Sequence, residues 1–345
     1  MKKILTAISG GVDSAVTVAL LQRAGYTAGG AVMRLHESAG QEVADAERSA
    51  RQLGIDFHVF DWRHEFSKLV QSPFIRGYQA GETPNPCVIC NKTVKFGLFL
   101  QQALALGYDG MATGHYARVE YDAGSGRYLV KTALDASKDQ TYMLYHLSQA
   151  QLSRVLLPMG GYTKPQAREI AQELGLSVAQ KHDSQDICFI PDGDYMAFLT
   201  RSGVVPQAGH FIGVDGRDFG AHRGFEAYTI GQRRGLDIPY GTRIYVTAKR
   251  GTDVIIGPSD ALFSRRVQIR DVNFIPFDTL TGEMRAQAKL RYTPKTAACT
   301  VRPTQYGAEL LFDEPQRAVT PGQAAVLYDG ENLLGGGTIA CASQD

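Results

Sequence analysis

Cys87 and Cys90 form a Cys-x-x-Cys pair inside "TPNPCVICNK", residues 83–92. Such a pair can be half of a zinc site, a redox couple, part of an iron–sulfur site, or a nucleophile with a helper. A structural zinc site normally needs a second Cys/His pair, and none of Cys188, Cys299 and Cys341 has a close cysteine partner. Five scattered cysteines are also too few for a secreted disulfide framework. Cys299 in "AACTVR" and Cys341 in "TIACAS" lie in apolar, strand-like runs and read as small buried hydrophobes. Cys188, in "SQDICFIP", stays open.

A second constellation lies at the start. Residues 3–8 (KILTAI) read as a strand that enters "SGGVDS", residues 9–14, and then passes directly into a helix. Gly10 and Gly11 allow a sharp turn that presents N–H groups to an anion. The helix N-terminus adds a favourable partial charge, and Ser9 and Ser14 offer hydroxyls. The turn lacks the lysine of a Walker A loop, and the Gly-x-Gly-x-x-Gly of a Rossmann turn is absent. A glycine turn capped by Asp13 or Ser14 would account for these residues alone. Position adds to it: this is the first strand-to-helix turn, at the carboxyl edge of a parallel sheet, where such folds bind ligands.

The elements that must place these groups follow from periodicity. Strands at 3–8, 28–33, 56–60 and 109–113 are spaced by helical stretches at 14–24, 41–53, 62–79 and 92–106, with Cys87 and Cys90 in a loop. That alternation predicts a parallel α/β sheet. A hairpin over 116–134 turns at residues 122–126, and further helical segments fall at 139–147, 163–174 and about 193–202. Beyond Pro206 short β-type runs, beginning with "YTIG" at 228–231, are separated by Gly, Pro, Asp and Asn. They predict a small β-rich module and then a barrel of roughly six strands. The expected segments are 1–203 catalytic, 204–265 a central module, and 266–345 a C-terminal barrel.

With 345 residues the chain can hold two or three cores. A hydrophobic share of 44% is ordinary for a soluble chain, and no apolar run approaches the length of a membrane-spanning helix. The opening "MKKILTAISGG" has a basic then apolar start, but its apolar run is short and no cleavage site follows; the chain reads as cytoplasmic. A net charge of +1 gives no global basic field, so a nucleic-acid partner must be held by local patches. Lys249-Arg250, Arg233-Arg234, Arg265-Arg266 and Arg291 are the candidates, although such residues taken alone are more often solvated surface than a phosphate clamp.

"SGGVDS" resembles the signature of the PP-loop ATP pyrophosphatases, which split ATP between the α and β phosphates. Four further stretches narrow this: "TPNPCVICNKTVKFG" (83–97), "ATGHYAR" (112–118), "KDQTYML" (138–144) and "SQDICFIP" (184–191). They resemble the tRNA-specific 2-thiouridylases, as do "YTIGQRRGL" (228–236), "RYTPKTAAC" (291–299) and "PGQAAVLYDGENLLGGGTI" (321–339). The likeness spans nearly the whole chain in order. It implies ATP-dependent replacement of the 2-oxygen of the tRNA wobble uridine by sulfur, through an O-adenylate. The resemblance gives Ser9, Gly10, Gly11, Val12, Asp13 and Ser14 to pyrophosphate, with Asp13 helping to place Mg2+. It gives Met33 and the backbone at Gly114 to adenine, and a supporting part to His115. Cys188 would carry the sulfur as a persulfide and Cys90 would attack the carrier sulfur. Asn85, Pro86, Cys87, Lys138, Asp139, Gln140, Arg291, Tyr292 and Gln323 match tRNA- and activity-linked positions, so the partners implied are the anticodon stem-loop and a sulfur-donor protein or sulfide. The protein is expected to act as a monomer.

One departure stands out: many members of the family have aspartate where this chain has Cys87. The aspartate is thought to act as a general acid/base, for which a thiol of pKa about 8.5 is a weaker stand-in. Two readings stay open. In one, Cys87 is a redox or sulfur-handling helper to a persulfide route through Cys188 and Cys90. In the other, Cys87, Cys90 and Cys188 are thiolate ligands of a [4Fe–4S] cluster whose fourth iron binds sulfide. Two other functions compete: a PP-loop AMP-forming ligase or amidotransferase acting on a small molecule, and a non-catalytic sulfur- or cluster-carrying RNA-binding protein.

Overall fold

The computed structural model describes residues 1–181 and 187–343, so Ser184, Gln185 and Asp186 of the "SQDICFIP" motif lie outside the described residues. The chain opens with β1 (Lys3–Ala7), α1 (Val12–Arg23), β2 (Thr27–Arg34), α2 (Gly40–Leu53) and β3 (Phe57–Asp61). Two long helical runs, 63–79 and 86–105, follow, then β4 (Gly110–Thr113), a hairpin of β5 (Ala117–Asp122) and β6 (Arg127–Thr132), and the short β7 (Val155–Leu156). β1, β2, β3, β4 and β7 form one parallel sheet in the order β3-β2-β1-β4-β7. Strand β1 is buried from Ile4 to Ala7, and β4 throughout, as befits strands covered on both faces. Helix α1 is buried along most of its length because it too is apolar nearly all round. The strand order reverses between β1 and β4, so their carboxyl ends make the topological switch point where open α/β sheets take ligands.

The central module is a four-stranded sheet of β8 (His210–Gly213), β9 (Asp218–Ala221), β10 (Tyr245–Arg250) and β11 (Asp253–Gly257), in the order β10-β11-β8-β9. The last third supplies β12 (Phe263–Phe274), β13 (Met284–Lys289), β14 (Ala297–Thr304), β15 (Gly307–Arg317), β16 (Ala324–Asp329) and β17 (Asn332–Ser343). They close into a six-stranded antiparallel barrel through the β12–β17 pairing, around Val267, Ile269, Leu310, Phe312, Leu327 and Ile339. The expected α/β domain, β-rich module and barrel are all present.

Tertiary structure ties the first unit to the last. The β5–β6 hairpin continues the barrel's sheet, with Leu333 of β17 opposite Val130. One core runs from Leu5, Phe96 and Phe99 through Tyr142 to Val326 and Tyr328, and the Tyr142 hydroxyl donates to the Ala324 carbonyl at 2.9 Å.

Four local expectations are corrected. Cys87 and Cys90 lie in helix Pro86–Cys90, not in a loop: Pro86 fits its first turn and Asn85 caps it. The stretch 139–147 holds only a short turn, Thr141–Met143, because Tyr142, Leu144, Tyr145 and Leu147 are all buried and leave no polar face for a helix. "YTIG" is not a strand; β8 and β9 pair instead. Cys341 is exposed near the end of β17, whereas Cys299 is fully buried.

Candidate active site

The "SGGVDS" turn sits at the carboxyl end of β1. Gly10 has φ 70°, and a Cβ there would fall 2.7 Å from the Glu42 carbonyl, so only glycine fits. Gly11 is the N-cap of α1 and no side chain caps it. The first N–H groups of a helix have no partner within it, so this end presents donors to an anion. Ser14 Oγ accepts the Ser9 N–H at 3.1 Å and donates to the Gly11 carbonyl at 3.1 Å, which holds the turn shut on itself. Across the switch point, a Cβ on Gly114 would lie 2.9 Å from Asp13 C and Ser14 N; the turn and the end of β4 touch backbone to backbone.

Two cations that the sequence reading missed reach this turn. Lys164 Nζ donates to both carboxylate oxygens of Asp13 at 2.8 Å, and the Tyr116 hydroxyl donates to Asp13 Oδ1 at 2.8 Å. Lys181 Nζ donates to the Gly10 carbonyl at 3.0 Å and to Asp45 at 2.8 Å. Tertiary structure thus brings ammonium groups to a turn that has no lysine of its own. Lys164 was legible only as the residue between Thr163 and Pro165, a capped helix start. Lys164 and Tyr116 engage both oxygens of Asp13, so an Mg2+ ion placed by Asp13 would share the carboxylate with them.

A cavity of about 210 Å3 adjoins the turn. Ser9 and Met33 line it from the sheet, and Cys87, Cys90 and Cys188 line it from the helical side. The three thiols, separated by up to a hundred residues, are thereby brought together beside the loop. Burial, then the neighbouring Cys90 and Cys87 sulfurs, push Cys188 up to about 12. Cys188 and Cys87 show surface to solvent, yet desolvation of their thiols in the shared cavity raises both. Burial lifts Cys90 to about 11 and also raises Cys87, against the opposing field of Lys95. Lys95, unassigned in the sequence reading, is the cation lining the cavity. All three are neutral thiols near pH 7.

Among the described residues no group of three or more His, Cys, Asp or Glu converges tightly enough to hold a single metal ion. The thiols instead surround a space several times the roughly 30 Å3 share of one water. A soft three-thiol set around such a space fits a multi-iron cluster in its chemistry, since coordination would supply the charge that burial denies the free thiolates.

His115 is buried, with Nδ1 2.6 Å from Thr113 Oγ1 and its ring 5.6 Å from Phe96. Burial, then Lys95 and His146, hold it well below the usual histidine range. Burial brings His146 down to about 3, and among the described residues neither of its ring nitrogens finds a hydrogen-bond partner of good geometry. Both rings are therefore neutral in the folded state and charge on unfolding below about pH 6.5. The unfolded chain binds more protons there, so stability is full above that pH and falls as pH falls. Urea unfolding at pH 7, 6 and 5 should show a loss of up to about 4 kcal/mol across the range, at about 1.4 kcal/mol per unit per ring. His146→Phe should remove about half of that slope.

The residues matched to tRNA contacts fall into separate groups. Asp139 accepts the Ala133 N–H at 3.1 Å and the Thr141 hydroxyl at 2.7 Å, and Gln140 accepts the Tyr116 N–H at 2.9 Å. Both are held from inside, next to half-buried Lys138. Tyr292 is half-exposed and its hydroxyl donates to the Asp139 carbonyl at 3.1 Å, so it joins this group. Arg291 donates to the Arg317 carbonyl at 2.7 Å. Gln323 lies apart, donating to the Thr83 carbonyl at 2.7 Å beside the cysteine helix. On the other side of that helix opens a cleft of about 1150 Å3, lined by Asn85, Val88, Lys68, Arg76, Lys92 and Arg270. The turn Asn85–Cys90 is thus a wall, with Asn85 and Val88 facing the cleft and Pro86, Cys87 and Cys90 facing the thiol cavity. None of the basic pairs singled out in the sequence lines either space.

Comparison with known proteins accounts for the whole chain. Residues 2–192 match the family described as "tRNA methyl transferase HUP domain", residues 197–257 the "tRNA methyl transferase PRC-barrel domain", and residues 264–339 the "Aminomethyltransferase beta-barrel domain". The U34-tRNA thiolase NcsA from Methanococcus maripaludis, solved with its [4Fe-4S] cluster, is 15% identical over 58% of this chain and 66% of its own, with a TM-score of 0.36, too low to carry an argument. The tRNA-specific 2-thiouridylase MnmA of Heliobacterium modesticaldum is 44% identical over 97% of this chain and 92% of its own length. That of Carboxydothermus hydrogenoformans is 46% identical over 98% of this chain and 97% of its own. Likeness at that level from end to end means that the chain belongs to the tRNA-specific 2-thiouridylase family.

Proposed function

We propose that the protein catalyses ATP-dependent 2-thiolation of the wobble uridine of tRNA. The observation that carries this is the shared cavity: Ser9, the first residue of the anion-binding turn, and three thiols line one space. In this reading ATP enters as its magnesium complex, residues 9–14 hold its pyrophosphate end, and Met33 and the backbone at Gly114 hold adenine. The uracil 2-oxygen attacks the α-phosphorus, pyrophosphate leaves, and an O-adenylate forms. A sulfur nucleophile then adds at C2 and AMP departs with the oxygen. Donors fixed at the turn stabilise the charge that develops on the phosphates. His115, being neutral, acts through hydrogen bonding and packing and not as a cation.

Two sulfur routes share these residues. Cys87, Cys90 and Cys188 would hold a [4Fe–4S] cluster, which when bound supplies an open iron for sulfide; the lining of one cavity by all three thiols supports this reading. In the persulfide route a donor protein leaves a sulfane sulfur on Cys188. Cys90, once its proton has passed to solvent, attacks Cys188 Sγ as the thiolate; the bond between Cys188 Sγ and the sulfane sulfur breaks, and hydrosulfide is released towards C2. A Cys90–Cys188 disulfide remains, which an external thiol reductant must reopen. Cys87 serves that route as a neutral thiol that can give a proton.

Residues 1–203 carry the chemistry, while segments 204–265 and 266–345 help to grip the anticodon stem-loop. The wide cleft supports RNA binding on charge grounds, since Lys68, Arg76 and Lys92 enter none of the described ion pairs. Changing Arg76 or Lys92 to Glu should raise the Kd for tRNA about tenfold and flatten its salt slope by about 0.9 per lost phosphate contact, with ATP affinity unchanged. Among the described residues no helix is long and apolar enough to cross a membrane, and a tRNA substrate suits a cytoplasmic protein acting as a monomer.

Anaerobic purification with iron and sulfide analysis, followed by a thiolation assay on unmodified tRNA, tests the proposal. tRNA-dependent release of AMP and pyrophosphate together with 2-thiouridine is expected. AMP formation on a small acid or amide without tRNA would favour a ligase, and RNA binding with no AMP release would favour a carrier. Iron-free yet fully active protein would remove the cluster route.

A further inference from the structure

Asn91 follows Cys90 directly, is 3% exposed, and lines the thiol cavity. Its Nδ2 donates to the Cys87 carbonyl at 2.9 Å. A carbonyl oxygen only accepts, so this bond sets which way round the amide lies and leaves Oδ1 as a pure acceptor. Oδ1 is buried and has no hydrogen-bond partner among the described residues. Buried polar atoms are nearly always paired, and an aliphatic side chain here would avoid the cost of an unmet acceptor. The group is most simply accounted for by a ligand that brings a donor.

The reaction itself leaves a question open that such an acceptor answers. Uracil and cytosine both carry an oxygen on C2, so chemistry at C2 does not separate them. They differ at the adjacent ring atom: uracil N3 bears a hydrogen, whereas cytosine N3 is a lone-pair acceptor. A group that reads N3 must stand beside the group that delivers sulfur to C2, and Asn91 is the neighbour of Cys90 on the same helical run. Single-stranded bases are commonly read along this edge.

We propose that Asn91 Oδ1 accepts the N3–H of the target uracil and is a specificity-determining contact that admits uridine and rejects cytidine. This rests on the tRNA-thiolation reading. Opposite cytidine, Oδ1 would face a second acceptor and both would lose their bonds to water, the situation in which a polar site discriminates strongly. An acceptor at N3–H also shifts electron density towards O2, the atom to be adenylated.

The test is binding of anticodon stem-loop RNA carrying uridine, 3-methyluridine or cytidine at the target position. Wild-type protein should bind the uridine RNA about tenfold more tightly than either of the others, near the upper end of what a neutral hydrogen bond gives. Asn91→Ala should bring the three affinities within about twofold while leaving ATP affinity unchanged. Asn91→Ser, which keeps a small polar group too short to reach the base, carries the same test if the alanine variant does not fold. A structural role alone would weaken all three RNAs equally, so a preserved uridine preference in the variants overturns the proposal, as does equal binding of the three RNAs by wild type. Wild-type thiolation of the uridine RNA, scored in parallel, separates the cases: its absence overturns the functional reading itself, whereas thiolation with an unchanged preference in the variants overturns only the role of Asn91.

Discussion

Cys188→Ser should lower 2-thiouridine formation by at least about a thousandfold while tRNA-dependent AMP and pyrophosphate release stays within about tenfold of wild type. A serine hydroxyl neither carries a sulfane sulfur nor binds iron as a thiolate does, so both sulfur routes stop at this residue. In the proposed reading adenylation uses the turn at residues 9–14, whose Ser9 lines the cavity together with Cys87 and Cys90 of the helical run. The split between activation and sulfur transfer is the diagnostic result; equal loss of both would mean that Cys188 only supports the fold. Cys341→Ser, on an exposed strand end, is the control and should change neither step.

The second large effect is expected at a residue that offers no functional group. Gly114→Val should reduce ATP affinity and AMP formation by about a hundredfold, the scale on which a displacement of about 1 Å in a catalytic element acts. Its Cβ would stand 2.9 Å from Asp13 C and Ser14 N. These are backbone atoms of the first turn of α1, which cannot swing aside as a side chain can. The helix end would shift, and with it the donors presented to phosphate. Titration with ATP by calorimetry checks this, and unchanged affinity would show that the contact is slack. Gly114→Ala should act in the same direction with a smaller loss.

Much of this site was legible in the chain itself. "SGGVDS" declared a sharp anion-binding turn because two glycines followed a strand and preceded a helix, and that turn lies where a parallel sheet binds ligands. The barrel was readable from short β-type runs broken by turn residues. The helix holding Cys87 and Cys90 was missed although its signals were present: Asn85 and Pro86 are as good a helix start as they are a turn. The stretch 139–147 was misjudged for the opposite reason, since its apolar residues serve a core shared with the barrel and keep no helical period. Lys164, Lys181 and Lys95 had no sequence signal, because a lysine's meaning depends on what it faces.

The amino-acid order alone determined which chemistries were on offer, because residue type fixes nucleophilicity, charge and turn geometry locally. It gave a glycine turn suited to an anion, three candidate thiols and the order of α/β and β units. Only the tertiary structure decided that Cys87, Cys90 and Cys188 share one cavity with Ser9 of that turn, and that distant lysines reach the turn. It also decided that a buried amide oxygen lies unmet beside them. The reason is that burial and through-space fields set what these groups do, and both depend on neighbours that chain folding, not chain order, brings within a few ångströms.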